Sequence, residues 1–552
     1  MTIIGIGQSA RRTEDLRLLM GEGRFVDDLT LPHQAHGVVL YSPHAHARIA
    51  RIDTRSATRL PGVLLVLTGR DAEADGLGGF QTAVPVAFRT EQPVLARDRV
   101  RHVGDRVAFV VAETSALARD AAERIEVTYE PLPAIATVEA AVAEDAPALW
   151  SEAPNNIAFS MMAGDAAAAD AAFARAAHVV RLRLVNNRVS ANPLEPRVTL
   201  GAWNAADRAY TLYSSTQHPH HTRGTLANDI LHCPETSLRV VAWEVGGGFG
   251  MKAEVYAEEA LVLWASRRVG RSVKWVGTRS EGLASDNHGR DQISDSEMAL
   301  DAEGHILAVR TEAFHNIGAY IAPTGPVPLI SMGLMMPSVY RIPVGHFVSR
   351  AVLTNRAPTG VYRGAGQPEA MYVIERLIEC AARDMNIDAV EVRRRNFIHA
   401  SAMPFTTATG RNYDSGDFAA ATERCLQLAD RQGFEARRKT SRAAGLYRGF
   451  GIGYYIEMNG PLNDRMEIRF DPSGGVTILA GTFSHGQGHE TTYAQMVSEW
   501  LGVPFDSILF VQGDTSRVAF GRGTYGARSG MVGGSALRIA ADTIIAKARL
   551  MA

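Results

Sequence analysis

The chain has 552 residues, a formal net charge of -2, 46% hydrophobic and 21% charged residues. Its length exceeds what one ordinary core organises, so several domains are expected, and the balanced charge excludes bulk attraction to nucleic acid or to an anionic membrane. No stretch reaches the roughly 20 apolar residues of a membrane span, and Arg11-Arg12 runs into Glu14-Asp15 instead of the apolar core of a secretory leader, which makes a cytoplasmic protein the expectation.

Alternating strand-like and helical stretches open the chain. Residues 35–41, 47–53, 63–67 and 107–112 have strand patterns, 115–126 has helical spacing, and 125–130 extends toward Pro131 and Pro133. This predicts a small α/β domain over residues 1–140. The composition then shifts: 141–177 is rich in alanine, is broken by Pro147 and Pro154, and reads as a linker crossing between domains, with a short helix at 166–177 and no core of its own. Strand signals return at 179–185, 210–214, 238–245 and 273–276, with helices at 255–269, 370–383 and 388–395, so 178–400 forms a second unit. Residues 401–446 read as a polar connection, whose Arg437-Arg438-Lys439 run lacks the interleaved aromatics of a single-strand nucleic-acid surface. A last unit starts at 447, with strands at 452–458, 466–470 and 476–479 and helices at 490–501 and 536–551. The expected class is α+β, a mixture of sheets and helices.

Glycine-rich turns recur at the ends of these elements. Gly246, Gly247, Gly248, Phe249 and Gly250 follow a strand and precede a helix, where consecutive glycines cost backbone entropy and supply no packing. Such a turn exposes N–H donors to an anion, although its spacing matches neither the dinucleotide fingerprint nor a P-loop, and close packing alone would also explain it. Gln217, at the end of a strand, can donate and accept at once, either to a ligand or to its own loop. Arg363 stands among Gly360, Gly364 and Gly366, so its guanidinium could face an anion or a pterin-type heterocycle, or pair with a loop carboxylate. Gln487 sits between Gly486 and Gly488, and residues 521–534 carry Tyr525, Arg528 and Ser529 among many glycines. Several such turns in one chain favour a large, polar, phosphate-bearing cofactor. Cys233, Cys380 and Cys425 are the only cysteines and cannot complete an iron–sulfur cluster, so any cluster must sit on a partner; burial as small apolar groups is expected for all three.

Together with Arg12-x-Glu14-Asp15, Ser42-Pro43-His44-Ala45-His46-Ala47-Arg48-Ile49, Pro61-Gly62-Val63 and Val103-Gly104, these motifs make the chain resemble, over essentially its whole length, the molybdenum-binding subunit of the molybdenum hydroxylases. That family includes xanthine dehydrogenases, aldehyde oxidoreductases and aerobic carbon monoxide dehydrogenases. The resemblance implies an amino-terminal α/β hammerhead domain followed by molybdopterin-binding domains, the second of them beginning at 447 and incomplete. It implies molybdenum held by molybdopterin, in bacterial relatives usually the cytosine dinucleotide form, with no protein side chain ligating the metal. By position, Gln217 corresponds to the glutamine near the metal, Gly247, Gly248, Phe249 and Gly250 to the loop beside it, and Arg363 to the active-site arginine. Gly486, Gln487 and Gly488, and Gly526, Ala527, Arg528 and Ser529, correspond to cofactor-binding turns.

The implied reaction is hydroxylation with water as oxygen source, a glutamate serving as base and electrons leaving through an iron–sulfur subunit and an FAD-binding subunit. Gly364 stands where carbon monoxide dehydrogenases carry cysteine. Ala253 and Met332 stand where xanthine-specific relatives carry a glutamate and an arginine, so an aldehyde or N-heterocycle is the expected small-molecule substrate. The family's catalytic glutamate, in a Gly-x-Gly-Glu motif, is expected beyond Ala552. Glu254, Glu258 and Glu259 do not replace it, reading as surface or salt-bridged residues of the helix after the loop. Two alternatives follow: one half of a split enzyme completed by a separate carboxyl-terminal subunit, or an inactive structural or interaction protein.

Overall fold

The computed structural model describes residues 4–460 and 462–552. The apolar alternation of the first half builds one mixed seven-stranded sheet in the order Leu238–Val241, Ala209–Ser214, Val198–Asn204, Val273–Val276, Ala35–Tyr41, Arg106–Ala112, Val63–Thr68. Ala35–Tyr41 pairs in parallel with Val273–Val276, so three strands from before residue 140 and four from after it share a sheet. Helix Ala257–Val269 lies across it, burying Leu261, Leu263 and Trp264 in one cluster with Tyr210, Leu212 and Val240. A smaller sheet of Arg99–Val100, Ala47–Asp53 and Glu126–Pro131 completes the amino-terminal unit.

A second sheet runs His178–Asn186, Gln292–Leu300, Ile306–Gly318, Val344–Leu353, Ile157–Gly164. Its apolar face receives helix Gln367–Asp384 through Val373, Ile374, Leu377 and Ile378. The expected core-free linker at 141–177 is corrected here: Ile157–Gly164 is the edge strand of this sheet, and Leu149, Ala153 and Phe159 share a core with Ile317 and Tyr320. Residues 401–446 likewise fold into helices Phe418–Leu428 and Phe434–Ala443, which bury Phe418, Leu426 and Phe434. The expected strand at 452–458 is unpaired. The strand at 238–245 ends at Val241, because Ala242 turns to donate its N–H to Gly513 O at 2.8 Å. Of the cysteines only Cys380 is buried; Cys425 is exposed and Cys233 half-buried.

The last unit has strands Met466–Phe470, Val476–Ala480 and Ile508–Val511 under helices His489–Leu501 and Gly534–Met551. Side-chain ties to the rest include two groups of ion pairs and hydrogen bonds. Arg239 spans the Asp514 carboxylate at 3.0 and 2.6 Å. The amino-terminal helix Thr13–Leu19 lies on His489–Leu501, where Thr491 donates to Glu14 at 2.6 Å and Arg17 reaches both Glu244 and Glu490 at 2.8 Å. Among the described residues no helix is long and apolar enough to cross a membrane.

Candidate functional site

The glycine-rich turns converge. A cavity of about 1380 Å³ opens where the two large sheets meet the last unit, lined among others by Gln217, Gly247, Phe249, Gly250, Arg363, Gly486, Gln487, Gly526, Ala527 and Ser529. That volume exceeds the roughly 300–1,000 Å³ of ordinary ligand pockets and suits an extended ligand.

Gln217 is the knot of this arrangement. It is 2% exposed, its Oε1 accepts the Gly250 N–H at 2.9 Å, and its Nε2 donates to Thr524 O at 3.2 Å. Gly248 touches it from the side: a Cβ there would lie 2.3 Å from Gln217 Oε1. Both readings of this glutamine, loop tie and ligand contact, can hold at once, since an amide nitrogen carries two hydrogens and Thr524 takes one. Gly247 and Gly250 have φ of +91° and +98°, a region costly to side chains, and a Cβ on Gly250 would meet Val361 O at 2.6 Å. The loop is also tied down from behind, where Glu195 accepts the Gly246 N–H at 2.9 Å and the buried Lys252 ammonium at 2.7 Å.

The Arg363 loop docks on this turn through Arg363 N–H to Phe249 O at 2.9 Å. Its guanidinium is exposed in the cavity wall and makes no hydrogen bond or ion pair with the described residues, so the alternative of a loop-carboxylate partner for it is not realised. Arg290 holds the loop instead. Its guanidinium donates to Tyr362 O at 3.1 Å, to Arg363 O at 2.7 Å and to the buried Glu369 at 3.1 Å, and lies over the Tyr362 ring at 4.8 Å. At Gly364, φ is +96° and the place of a side chain is taken by Pro368, 2.4 Å from a Cβ.

The far end of the cavity is built of helix starts. Gly488, with φ +80°, caps His489–Leu501, and Ser529 opens a continuous helical stretch to Met551. Both starts adjoin the cavity, through His489 and through Ser529 and Gly530, an arrangement that favours phosphate. Gly486 has open space around it, whereas Gly488 packs against Arg12 and Glu14 and, like Gly248, does not line the cavity. Arg528 does not face the cavity either. Its guanidinium is fully buried and donates to Asp464, to Gly523 O at 3.0 Å and to Asn463 O at 2.9 Å, which fixes the turn that exposes Gly526 and Ser529. Burial keeps the lining imidazoles neutral: His485 and His489 are lowered to about 4 and His218 to about 3. Buried polar atoms without a protein partner, His218 Nε2 and His489 Nδ1, face the same region.

The surface alternative for Glu254, Glu258 and Glu259 is corrected, while the salt-bridged one holds for Glu258. Glu254 precedes the helix, and all three are buried. Glu258 joins Arg106 at 2.7 Å and Arg197 at 2.8 Å, which holds its carboxyl well below the usual carboxylate range, whereas burial without a bonded cation raises Glu254 and Glu259 to about 7. Sequence inspection missed Arg290, Thr324, His218 and Met458, none of which lies in a glycine turn.

Three family signatures match. The aldehyde oxidase and xanthine dehydrogenase a/b hammerhead domain covers residues 20–133, and the molybdopterin cofactor-binding domain occurs twice, at 149–397 and 424–552. The nicotine 6-hydroxylase large subunit of Paenarthrobacter nicotinovorans is 35% identical over 98% of this chain and 68% of its own length. The carbon monoxide dehydrogenase large chain of Afipia carboxidovorans is 36% identical over 99% and 71%. The crystal structure of quinoline 2-oxidoreductase from Pseudomonas putida 86 superposes with a TM-score of 0.93 at 35% identity, covering 98% of this chain and 71% of that one. A cavity of this size with two helix starts, an untied guanidinium and orphan imidazole nitrogens fits a large phosphate-bearing cofactor, and the chain belongs to the molybdenum hydroxylase family as a molybdopterin-binding large subunit.

Proposed function

We propose that the chain carries the substrate-oxidising site of a hydroxylase acting on an aldehyde or N-heterocycle, with water as oxygen source, in a complex with an iron–sulfur subunit and an FAD-binding subunit. The cofactor is read as the cytosine dinucleotide form of molybdopterin. The observation that carries this is the single cavity in which the Gln217 amide ties the Gly246–Gly250 turn to the 521–529 turn beside the free Arg363 guanidinium.

When bound, the cofactor supplies a two-electron redox centre and a Lewis acid. This chain's residues hold and orient. Amides of Gly486, Gln487, Ser529 and Gly530 would take the phosphates, the spare Gln217 N–H and Arg363 would be available to the ring system, and Phe249, Val327, Val361 and Met458 would offer apolar walls to a flat substrate. A sulfur ligand at position 364 is disfavoured by its left-handed backbone and by Pro368. Ala253 and the core residue Met332 provide no charge for a purine. The names of two relatives, nicotine 6-hydroxylase and quinoline 2-oxidoreductase, agree with an N-heterocycle.

Co-produced with its partner subunits, the chain should carry about one molybdenum, and acid treatment should release cytidine monophosphate. Quinoline and benzaldehyde are suitable first probes with an artificial electron acceptor. Molybdenum at background in a folded complex would sink the reading.

Arg290→Lys should lower kcat/KM by about tenfold at unchanged molybdenum content, since one ammonium cannot span two carbonyls and Glu369 while stacking on Tyr362. Steady-state kinetics beside metal analysis checks this, and wild-type kcat/KM in the fully loaded variant contradicts it.

A further inference from the structure

Glu254 is a buried carboxyl that the holding of the cofactor does not use. It is 2% exposed, and its Oε2 has no hydrogen-bond partner. Its Oε1 meets the Thr324 hydroxyl, whose oxygen accepts the Val361 N–H at 3.1 Å. The backbone passes directly over this contact: a Cβ on Gly360 would lie 2.6 Å from Glu254 Oε1 and 3.2 Å from Thr324 Oγ1. Thr324 and Val361 both line the large cavity, Val361 standing two residues before Arg363 and three before Gly364.

A threonine hydroxyl has one hydrogen and two acceptor positions. With Glu254 ionised, that hydrogen is committed inward to the carboxylate, Val361 occupies one acceptor position, and one lone pair is left over on a residue that lines the cavity. With Glu254 protonated, the carboxyl hydrogen and the Val361 N–H fill both acceptor positions, and the hydroxyl hydrogen turns to the cavity. We propose that Thr324 is a specificity-determining contact of this site and that Glu254 sets its hydrogen-bond polarity, a donor to the substrate with Glu254 protonated and an acceptor with it ionised.

The surroundings leave that choice to the carboxyl itself. From the 251–253 turn, Lys252 is engaged by Glu195; from the start of the following helix, the Tyr256 hydroxyl donates to Met251 O; from 286–287, Asp286 is paired with Arg197; the Asn287 amide and the Thr324 hydroxyl and N–H are neutral donors that favour the ionised form less than burial disfavours it, and Gly360 brings no charge. Burial raises the Glu254 carboxyl to about 7, so both forms are accessible near neutral pH.

The inference rests on the cavity being the substrate site proposed above, and the test separates the two. Quinoline, whose ring nitrogen only accepts, is the probe for the assembled molybdenum-loaded complex. Its affinity and kcat/KM should fall about tenfold as pH rises through about 7, because a buried acceptor then faces an acceptor. Glu254→Gln, which keeps a neutral hydrogen-bonding group, should flatten the profile, Thr324→Val should flatten it at a lower level, and Thr324→Ser should restore it. Infrared difference spectra of wild type against Glu254→Gln should show a carboxylic acid band lost over the same pH range, a readout independent of turnover. Quinoline that neither binds nor turns over with molybdenum in place overturns the substrate reading and this contact with it. Binding with the same pH profile in wild type, Glu254→Gln and Thr324→Val overturns the present inference alone, as does an infrared band that does not titrate.

Discussion

Replacing Arg528 with methionine is expected to destabilise the last unit by about 3–5 kcal/mol, the range for breaking a buried ion pair on one side. Arg528 and Asp464 side chains are both fully buried, and the guanidinium also satisfies Gly523 O and Asn463 O. A thioether of similar length keeps most of the volume but leaves the Asp464 carboxylate without its cation, away from water. The double substitution Arg528→Met/Asp464→Leu removes both charges and should recover part of the loss, since a buried pair replaced by apolar groups is often near neutral. Thermal unfolding of Arg528→Met, Asp464→Leu and the double substitution, with molybdenum content measured alongside, gives the cycle. Additive losses to within about 0.5 kcal/mol would show that the two side chains do not act as a pair.

Arg528 also shows what the sequence could and could not convey. Its turn was legible because glycines cluster there, yet a motif gives no direction for a side chain, and this one points away from the cavity into its own loop. Strands whose apolar residues alternate cleanly were read correctly from pattern alone: Ala35–Tyr41, Ala47–Asp53, Val273–Val276 and Met466–Phe470 match the expected bounds. Gln292–Leu300 was not, because its inward positions include Gln292, Ser294 and Ser296, polar groups that long-range pairing buries. Ile157–Gly164 escaped because an edge strand inside an alanine-rich stretch has little periodicity, and its partner Val344–Leu353 lies far along the chain. The same non-locality hid Arg290 and Thr324, which reach the site only through pairing and packing remote in sequence. The three glutamates after the glycine loop share one composition, and only their partners distinguish them. Glu258 meets Arg106 and Arg197, whereas Glu254 and Glu259 meet hydroxyls and amides.

Gly248→Ala should abolish most activity, lowering turnover at least about 100-fold, equivalent to about 2.7 kcal/mol, while leaving the sheets intact. Unlike Gly247 and Gly250, Gly248 has an ordinary backbone conformation, so its requirement for glycine is one of space. A methyl group there would lie 2.3 Å from Gln217 Oε1 and 2.6 Å from Gln217 Cδ. Gln217 is buried and held at both ends, so it can yield only by giving up the Gly250 N–H, Thr524 O, or both. Each abandoned bond leaves a polar group unpaired at a cost of about 1–3 kcal/mol, and two such losses reach the stated magnitude. The damage should fall on the juncture of the Gly246–Gly250 turn with the 521–529 turn, which is where the cofactor is proposed to sit, so molybdenum occupancy should drop more than the unfolding temperature. Gln217→Ala removes the obstructing side chain, and adding Gly248→Ala to it should then cost almost nothing. Strong non-additivity is therefore the expected signature. A Gly248→Ala complex with wild-type molybdenum content and turnover would show that Gln217 is free to move, and that the two turns are held together by something other than its amide.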